Sequence, residues 1–355
     1  MRMRRISRAA SLTFVAMVLT IGWSGTALAC GGLIAPNGTI SLTRTTTLAA
    51  YHNGIEHYLT SFTYAGAAAG DVGSIVPLPG VPTNVIKGGD WTLQRLELEV
   101  HPPPKTQAQA STAASADASV ILTTTVDSLD ITVLKGGAAA VGTWAKDHGF
   151  FLPPDAPAVL DFYARRSPIF MAVKFNAERA AKQGITQGEG TPVDVVIPTP
   201  HPWVPLRILT LGQKPTAIVK ADVFLLTDRR PAVLPQTVAS DGLPGQQGLI
   251  QRASEQASTS LLDDLRRDDR MSWVPDRMWL TFIDVNTRAD QLTHDLSIDA
   301  SGYGHPDPIA AGFGAPATSV ASSGFLVALW AGLGVMTLVL VIVEMERRRV
   351  RRTAA

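Results

Sequence analysis

Residues Gly324–Val343 read GFLVALWAGLGVMTLVLVIV, an apolar run without a single charge. At ~1.5 Å rise per residue, a helix of that length crosses the ~30 Å hydrocarbon layer of a bilayer. The segment behind it, Glu344 to Arg352, holds Arg347, Arg348, Arg349, Arg351 and Arg352. Arginines placed directly after a span favour the cytoplasmic side. The run is therefore expected to be a C-terminal transmembrane helix, with residues 344–355 as a basic cytoplasmic tail.

The other end carries an export signal. Arg2, Arg4, Arg5 and Arg8 form a basic region and Leu12 to Trp23 an apolar one. Ala27-Leu28-Ala29 then supplies the small-x-small pattern of a cleavage site, with cleavage expected between Ala29 and Cys30. Two alternatives stay open: an uncleaved anchor, for which the apolar run is short, and acylation of Cys30, for which Ala27 stands where a large aliphatic residue is preferred. The expected organisation is a signal peptide at 1–29, an extracytoplasmic domain at 30–305, a flexible Pro/Gly/Ala/Ser tether at 306–323, the span at 324–343 and the tail. The protein is expected in the cell membrane, single-pass, its ectodomain outside and its C-terminus cytoplasmic.

The chain as a whole has a formal net charge of +1. Setting aside the four N-terminal arginines, the five tail arginines and two tail glutamates leaves 22 basic and 28 acidic residues. A mildly acidic ectodomain gives no electrostatic footprint for nucleic acid. The expected partners are the lipid bilayer and another envelope protein. Cys30 is the only cysteine, so the domain depends on its apolar core rather than on disulfides. Cysteine-based zinc and iron–sulfur sites are excluded, and no cofactor is expected.

Strand signals dominate the ectodomain. Ile40–Tyr51 and Ile55–Tyr64 flank Asn53-Gly54, the signature of a β-hairpin with a type I′ turn. Residues 74–82 read as a buried edge strand, and 120–126, 129–134, 169–175, 193–197, 206–211, 217–226 and 278–285 as further strands. In 217–226, Val219, Ala221, Val223 and Leu225 face one way, with Lys220 and Asp222 opposite. A short helix capped by Asp90 is expected through Leu93 and Leu96, another through Val141, Trp144, Ala145 and His148 with Gly149 as its terminator, and a third opened by Asp155. Ser260 to Asp263 suits a capping box. Residues 101–118 and 241–258 read as loops. The expected fold is α+β: a strand-rich mixed ectodomain with a few short helices, plus the C-terminal membrane helix.

Chemical motifs are sparse. His52-x-x-x-Glu56-His57 looks like a metal-ligand cluster, but the hairpin turn falls between its histidines, so exposed turn and strand residues are expected instead. Asp284 to Arg288 begins like a calcium loop and fails at Arg288. Gly312 to Ala317 matches a dinucleotide fingerprint only loosely, with Pro316 inside it. His148 and His294 read as surface or capping residues, and Trp203 as a packing anchor. Cys30-Gly31-Gly32 is the one catalytic candidate, because a mature N-terminal Cys30 would carry both an α-amine and a thiol. Ala328 and Gly332 form a small-x-x-x-small pair in the span, suited to helix packing.

Taken together, Cys30-Gly31-Gly32, Val76-Pro77-Leu78-Pro79, WAKDHGFFL from Trp144, LDFYARRSPIFMAVKF from Leu160 and Pro205-Leu206-Arg207-Ile208 resemble the bacterial domain-of-unknown-function family numbered 2330. The resemblance spans Cys30 to Leu234 and grows loose beyond. It implies a signal peptide, a Cys-Gly-Gly mature start and often a C-terminal membrane anchor. It also implies a second cysteine soon after the glycines, where this chain has Ala35. No activity, substrate or cofactor is implied. The favoured function is a non-enzymatic binding or interaction module of the envelope, and the alternative is a hydrolase or transferase with Cys30 as nucleophile.

Overall fold

The computed structural model describes residues 32–34, 44–62, 72–101, 122–183, 191–238 and 248–314. The expected cleavage site Ala29–Cys30, the span Gly324–Val343 and the tail arginines lie outside these residues. Among the described residues, no helix is long and apolar enough to cross a membrane. By its internal contacts the chain divides into two units at Phe313/Gly314.

Fifteen strands in three sheets and six short helices build the described domain, an α+β arrangement in which strands predominate. The strands are β1 (Gly32–Ile34), β2 (Thr45–His52), β3 (Ile55–Phe62), β4 (Val72–Pro77), β5 (Asn84–Lys87), β6 (Thr123–Val126), β7 (Leu129–Lys135), β8 (Ile169–Phe175), β9 (Thr191–Pro198), β10 (Trp203–Val204), β11 (Ile218–Thr227), β12 (Ala232–Leu234), β13 (Leu249–Gln256), β14 (Trp279–Arg288) and β15 (Leu296–Asp299). The helices are α1 (Thr92–Val100), α2 (Gly137–Asp147), α3 (Ala156–Ala164), α4 (Ala177–Lys182), α5 (Thr259–Arg267) and α6 (Pro308–Ala311). The largest sheet has seven strands in the order β13-β14-β11-β2-β3-β9-β5; a second has the order β1-β4-β8-β7-β6, and a third β10-β15-β12. Among the described strands β2 and β11 pair parallel and the other ladders are antiparallel.

The seven-stranded sheet is apolar on both sides. One face presents Leu48, Leu59, Phe224, Leu226 and Phe282 to a core shared with α1 and α5. The other presents Ala49, Tyr58, Val195, Val223 and Ile283 to a larger core shared with the five-stranded sheet, α2 and α3. Strand residues alternate sides, so the two cores take alternate residues of the same strands.

The hairpin forms as the dipeptide predicts: Asn53 and Gly54 adopt φ of 51° and 79°, the pair of positive angles that a type I′ turn requires. Val219, Ala221, Val223 and Leu225 do share a face. The opposite face of β11 is not solvated throughout, since Asp222, Phe224 and Leu226 are buried there. Strand β8 is likewise buried on both faces.

Several expectations are corrected. Strand β4 is interior, because β1 covers its outer side in the register Gly32↔Ile75 to Ile34↔Gly73. Asp90 does not cap α1. Asp268, far along the chain, accepts from the Asp90 and Trp91 backbone N–H groups, both at 3.0 Å, and from the Thr92 hydroxyl at 2.7 Å. Asp155 precedes α3, but its carboxylate accepts from the Gly212 N–H at 3.0 Å rather than from its own helix. Helix α5 starts before Ser260, with the Ser258 hydroxyl accepting from Leu261 N–H at 3.1 Å. The expected loop over 241–258 contains β13, an edge strand whose open side tolerates its polar composition. The segment expected as a strand over 206–211 instead holds a 3-10 turn at Arg207–Thr210, because side chains from elsewhere take the amides of Leu206, Arg207 and Ile208. Residues 308–313, expected in the tether, are folded: Ala311 O accepts from Asp295 N–H at 3.0 Å, and Phe313 stacks on His294 with ring centroids 3.8 Å apart.

Packing at β1 is tight enough to test. A Cβ added to Gly73 would lie 2.7 Å from Ile34 Cγ1 and 3.1 Å from Phe150 Cε2. Ile34 and Phe150 are both buried, so neither can swing out without opening the core. Gly73→Ala is expected to cost about 1–3 kcal/mol in urea unfolding and to speed amide exchange at Ile34. Unchanged exchange there would show that β1 does not depend on this contact.

Candidate functional site

The three residues of the metal-like cluster do not converge. Glu56 and His57 are neighbours on β3 and so point to opposite faces, and His52 ends β2, where its Nδ1 lies 2.6 Å from Asp228 Oδ1. The expectation of exposure fails for Glu56, which is fully buried, and for His57, which is mostly buried. Among the described residues, no group of three or more His, Cys, Asp or Glu could hold a metal.

His57 nonetheless takes part in a defined polar arrangement near the surface. Its Nδ1 lies 3.0 Å from Oδ2 of the buried Asp194, the carboxylate accepting from the ring N–H. Trp273 lies flat on the imidazole, with centroids 3.7 Å apart and planes within 11°. The sheet sets this up: β3 and β9 pair Leu59 with Asp194 and His57 with Val196, so His57 and Asp194 are diagonal neighbours on one face. Trp273 arrives from the segment between α5 and β14. Asp194 Oδ1 and Trp273 Nε1 are buried without a hydrogen-bond partner among the described residues. An imidazole held by a buried carboxylate can relay a proton or bind a polar group. No nucleophile is placed against it by the described contacts.

Glu56 lies on the opposite face, in register with Tyr51 and Ile197. Among the described residues neither of its carboxyl oxygens makes a well-formed hydrogen bond, the Trp203 backbone amide being the nearest approach to one. Burial pushes its pKa from 4.5 up to about 8, with the nearby Trp203 backbone amide acting the other way. Tyr51, beside it, is raised by burial and then by the charges of Glu56 and Asp228. Glu56 is therefore held as the neutral acid at pH 7.

Two further networks were invisible in the sequence. In the first, Arg44 bridges Asp222 and Asp284, Arg252 also pairs with Asp284, and Glu97 accepts from the Thr46 hydroxyl at 3.2 Å. In the second, Asp295 is fully buried and its Oδ1 accepts from Tyr163 OH at 2.8 Å, Leu206 N–H at 2.8 Å and Arg207 N–H at 2.9 Å, while Oδ2 accepts from Arg166. The Tyr163 oxygen in turn accepts from Ile208 N–H at 2.7 Å. Arg166 lies over Phe162, Tyr163 and Trp203 and donates to Ala310 O. Trp203 is thus a packing anchor, as its sequence position suggested. These contacts consume the amides that a strand over 206–211 would have needed. Both networks hold the fold together rather than open a site.

The family model described as "Uncharacterized protein conserved in bacteria (DUF2330)" matches residues 24–298. The chain belongs to this family. The match continues past Leu234, where the segment resemblance grew loose, and covers β13, α5, β14 and most of β15. No curated protein matches this DUF2330 chain. Among solved structures it is similar to baculovirus P35, at 10% identity and a TM-score of 0.36, covering 74% of this chain and 92% of that one. A caspase-8/P35 complex is similar at 7% identity and a TM-score of 0.33, with 72% and 90% covered. Likeness at this level carries no argument about the DUF2330 chain.

Proposed function

We propose that this DUF2330 chain is a single-pass, membrane-anchored extracytoplasmic protein of the bacterial envelope, whose folded domain is a non-enzymatic binding or interaction module. The observation that supports it is the order of parts: a self-contained domain closes at Phe313, and the uncharged run Gly324–Val343 and five arginines follow shortly after. Burial of the Arg166–Asp295 ion pair inside the domain is consistent with a rigid scaffold. The test is truncation after Ser323 in bacterial cells. Release of the product into the extracytoplasmic fraction is expected, with the full chain staying in membranes and open to protease added outside. Retention of the truncated chain would overturn the anchor.

A second reading keeps Cys30 as a nucleophile. It is favoured by β1, which fixes Gly32–Ile34 against β4 just downstream. Turnover of an envelope ester, amide or glycan that is lost in Cys30→Ser would move the assignment there.

A further inference from the structure

The described chain ends at one particular end of the domain. Gly312 is pressed against Phe162, whose ring lies under Arg207 at 4.2 Å. Arg207 opens the 3-10 turn that leads to Gly212, and Gly212 is tied to Asp155 and packed on Pro153. Phe151 stands just before Pro153. The next turn, through Pro215 and Ala217, is held to the end of β14 by Asp290 N–H donating to Pro215 O at 3.0 Å and Ala289 N–H to Ala217 O at 2.8 Å, and Ile218 follows. Phe151, Ile218 and the exit of the chain therefore share one end of the molecule.

That end is unlike the rest of the surface. Phe151 is 67% exposed and Ile218 54%, two of the few large apolar side chains on the outside. Lys146, five residues before Phe151, and Lys214 and Lys220, on either side of Ile218 in the chain, are all exposed. The exposed acids here include Asp147 in the last turn of α2, Asp161 beside Phe162 in α3, and Asp290, which pairs with Arg288. Exposed apolar side chains with exposed lysines close by in the chain suit the headgroup layer of a membrane, where the apolar groups enter the boundary with the acyl chains and the ammonium groups meet anionic lipid. The chain beyond offers little slack. From Gly314 to Gly324 there are ten peptide steps, which reach at most ~36 Å fully extended and about 18 Å as a flexible coil.

We infer that the Phe151–Ile218 end of the domain rests on the surface of an anionic bilayer, with these two side chains in the interfacial layer and Lys146, Lys214 and Lys220 on its headgroups. The inference depends on the membrane anchor proposed above. Tyr303 gives an internal control. It is the most exposed large hydrophobic side chain among the described residues, at 78%, and its loop is held by Arg229 at the far end of β11, the Arg229 guanidinium donating to Ser301 O at 3.2 Å. The ten-residue β11 separates Ile218 from that loop by roughly 30 Å.

The experiment uses the full chain on a Cys30→Ser background, with Phe151→Cys, Ile218→Cys or Tyr303→Cys carrying an environment-sensitive fluorophore. Each protein is reconstituted into vesicles of phosphatidylcholine and phosphatidylglycerol at a 7:3 ratio containing spin-labelled lipid. Labels at 151 and 218 are expected to be blue-shifted and quenched at least twofold more than the label at 303. Replacing phosphatidylglycerol by phosphatidylcholine, or adding Lys214→Glu and Lys220→Glu together, is expected to reduce that quenching. Equal quenching at all three positions overturns the inference, as does a blue-shifted label that the lipid quencher does not reach, which would place protein against this end. Flotation separates the two ideas: a chain that fails to float with vesicles refutes the anchor itself, whereas one that floats with a water-exposed label at 218 refutes only this docking.

Discussion

Asp295→Ala is expected to destabilise the domain by roughly 3–5 kcal/mol, the cost of leaving a buried charge without its partner. The fully buried carboxylate of Asp295 gathers three donors on one oxygen and Arg166 on the other. Removing it strands the Arg166 guanidinium, which is itself almost completely buried among Phe162, Tyr163 and Trp203. It also releases the amides of Leu206 and Arg207 and the hydroxyl of Tyr163, so that α3, the 3-10 turn and the start of β15 lose their common clamp. Urea unfolding at fixed pH would show the loss as a lower midpoint with little change in slope. A loss below about 1 kcal/mol would mean that water compensates the site. The paired replacement Arg166→Met with Asp295→Leu is expected to recover only the part of the loss due to the stranded guanidinium, because the Leu206 and Arg207 amides and the Tyr163 hydroxyl still lack the acceptor that Asp295 supplied.

Glu56→Gln is expected to act in the opposite direction, and only above mildly acidic pH. The Glu56 carboxyl rises from 4.5 to about 8 on folding, so between those values the folded chain keeps a proton that the unfolded chain has released. The unfolded state then binds fewer protons, and stability falls as pH increases through that window before levelling off above it. The shift corresponds to a penalty on the order of 5 kcal/mol at full development. Glutamine matches the shape of the neutral acid and cannot ionise. The variant should therefore equal the parent near pH 4.5 and exceed it by several kcal/mol at pH 8 to 9, with a flattened pH dependence in thermal unfolding. Parallel curves for parent and variant would show that Glu56 ionises in place, with water reaching its carboxyl.

The two cases differ in how far the sequence exposes them. Glu56 sits in a hairpin that Asn53-Gly54 announces, and the two-residue period of β3 already separates it from His57. What the pattern did not show was the depth of the strand: β3 lies inside a seven-stranded sheet with packed layers on both sides, so a polar residue facing either way is buried. The same layering explains Asp222, which alternation alone set on the face opposite the apolar residues of its strand, and the buried Asp194. Strand β8 is apolar on both sides rather than one for a similar reason, because it lies inside the five-stranded sheet and both of its faces are covered. The expected strand over 206–211 failed for a different reason. Its apolar composition is real, but Asp295 and Tyr163 take its amide hydrogens, and a ladder was no longer available to it.

Periodicity, turn dipeptides and the two apolar extremities depend on residues near one another in the chain. For that reason the strand-rich α+β class, the hairpin, most helices and the family were legible from the sequence alone. Partnership between buried charges is not local. Arg166 and Asp295 are 129 positions apart, and Asp268 completes the start of α1 from 176 positions or more away. Nothing in the residues around either member identifies the other, because each needs its partner only once the layers close and water is excluded. Which carboxylates are paired, which one is held neutral and which apolar side chains stay outside at the end where the chain departs were decided by the tertiary structure, since desolvation, not sequence spacing, sets those energies.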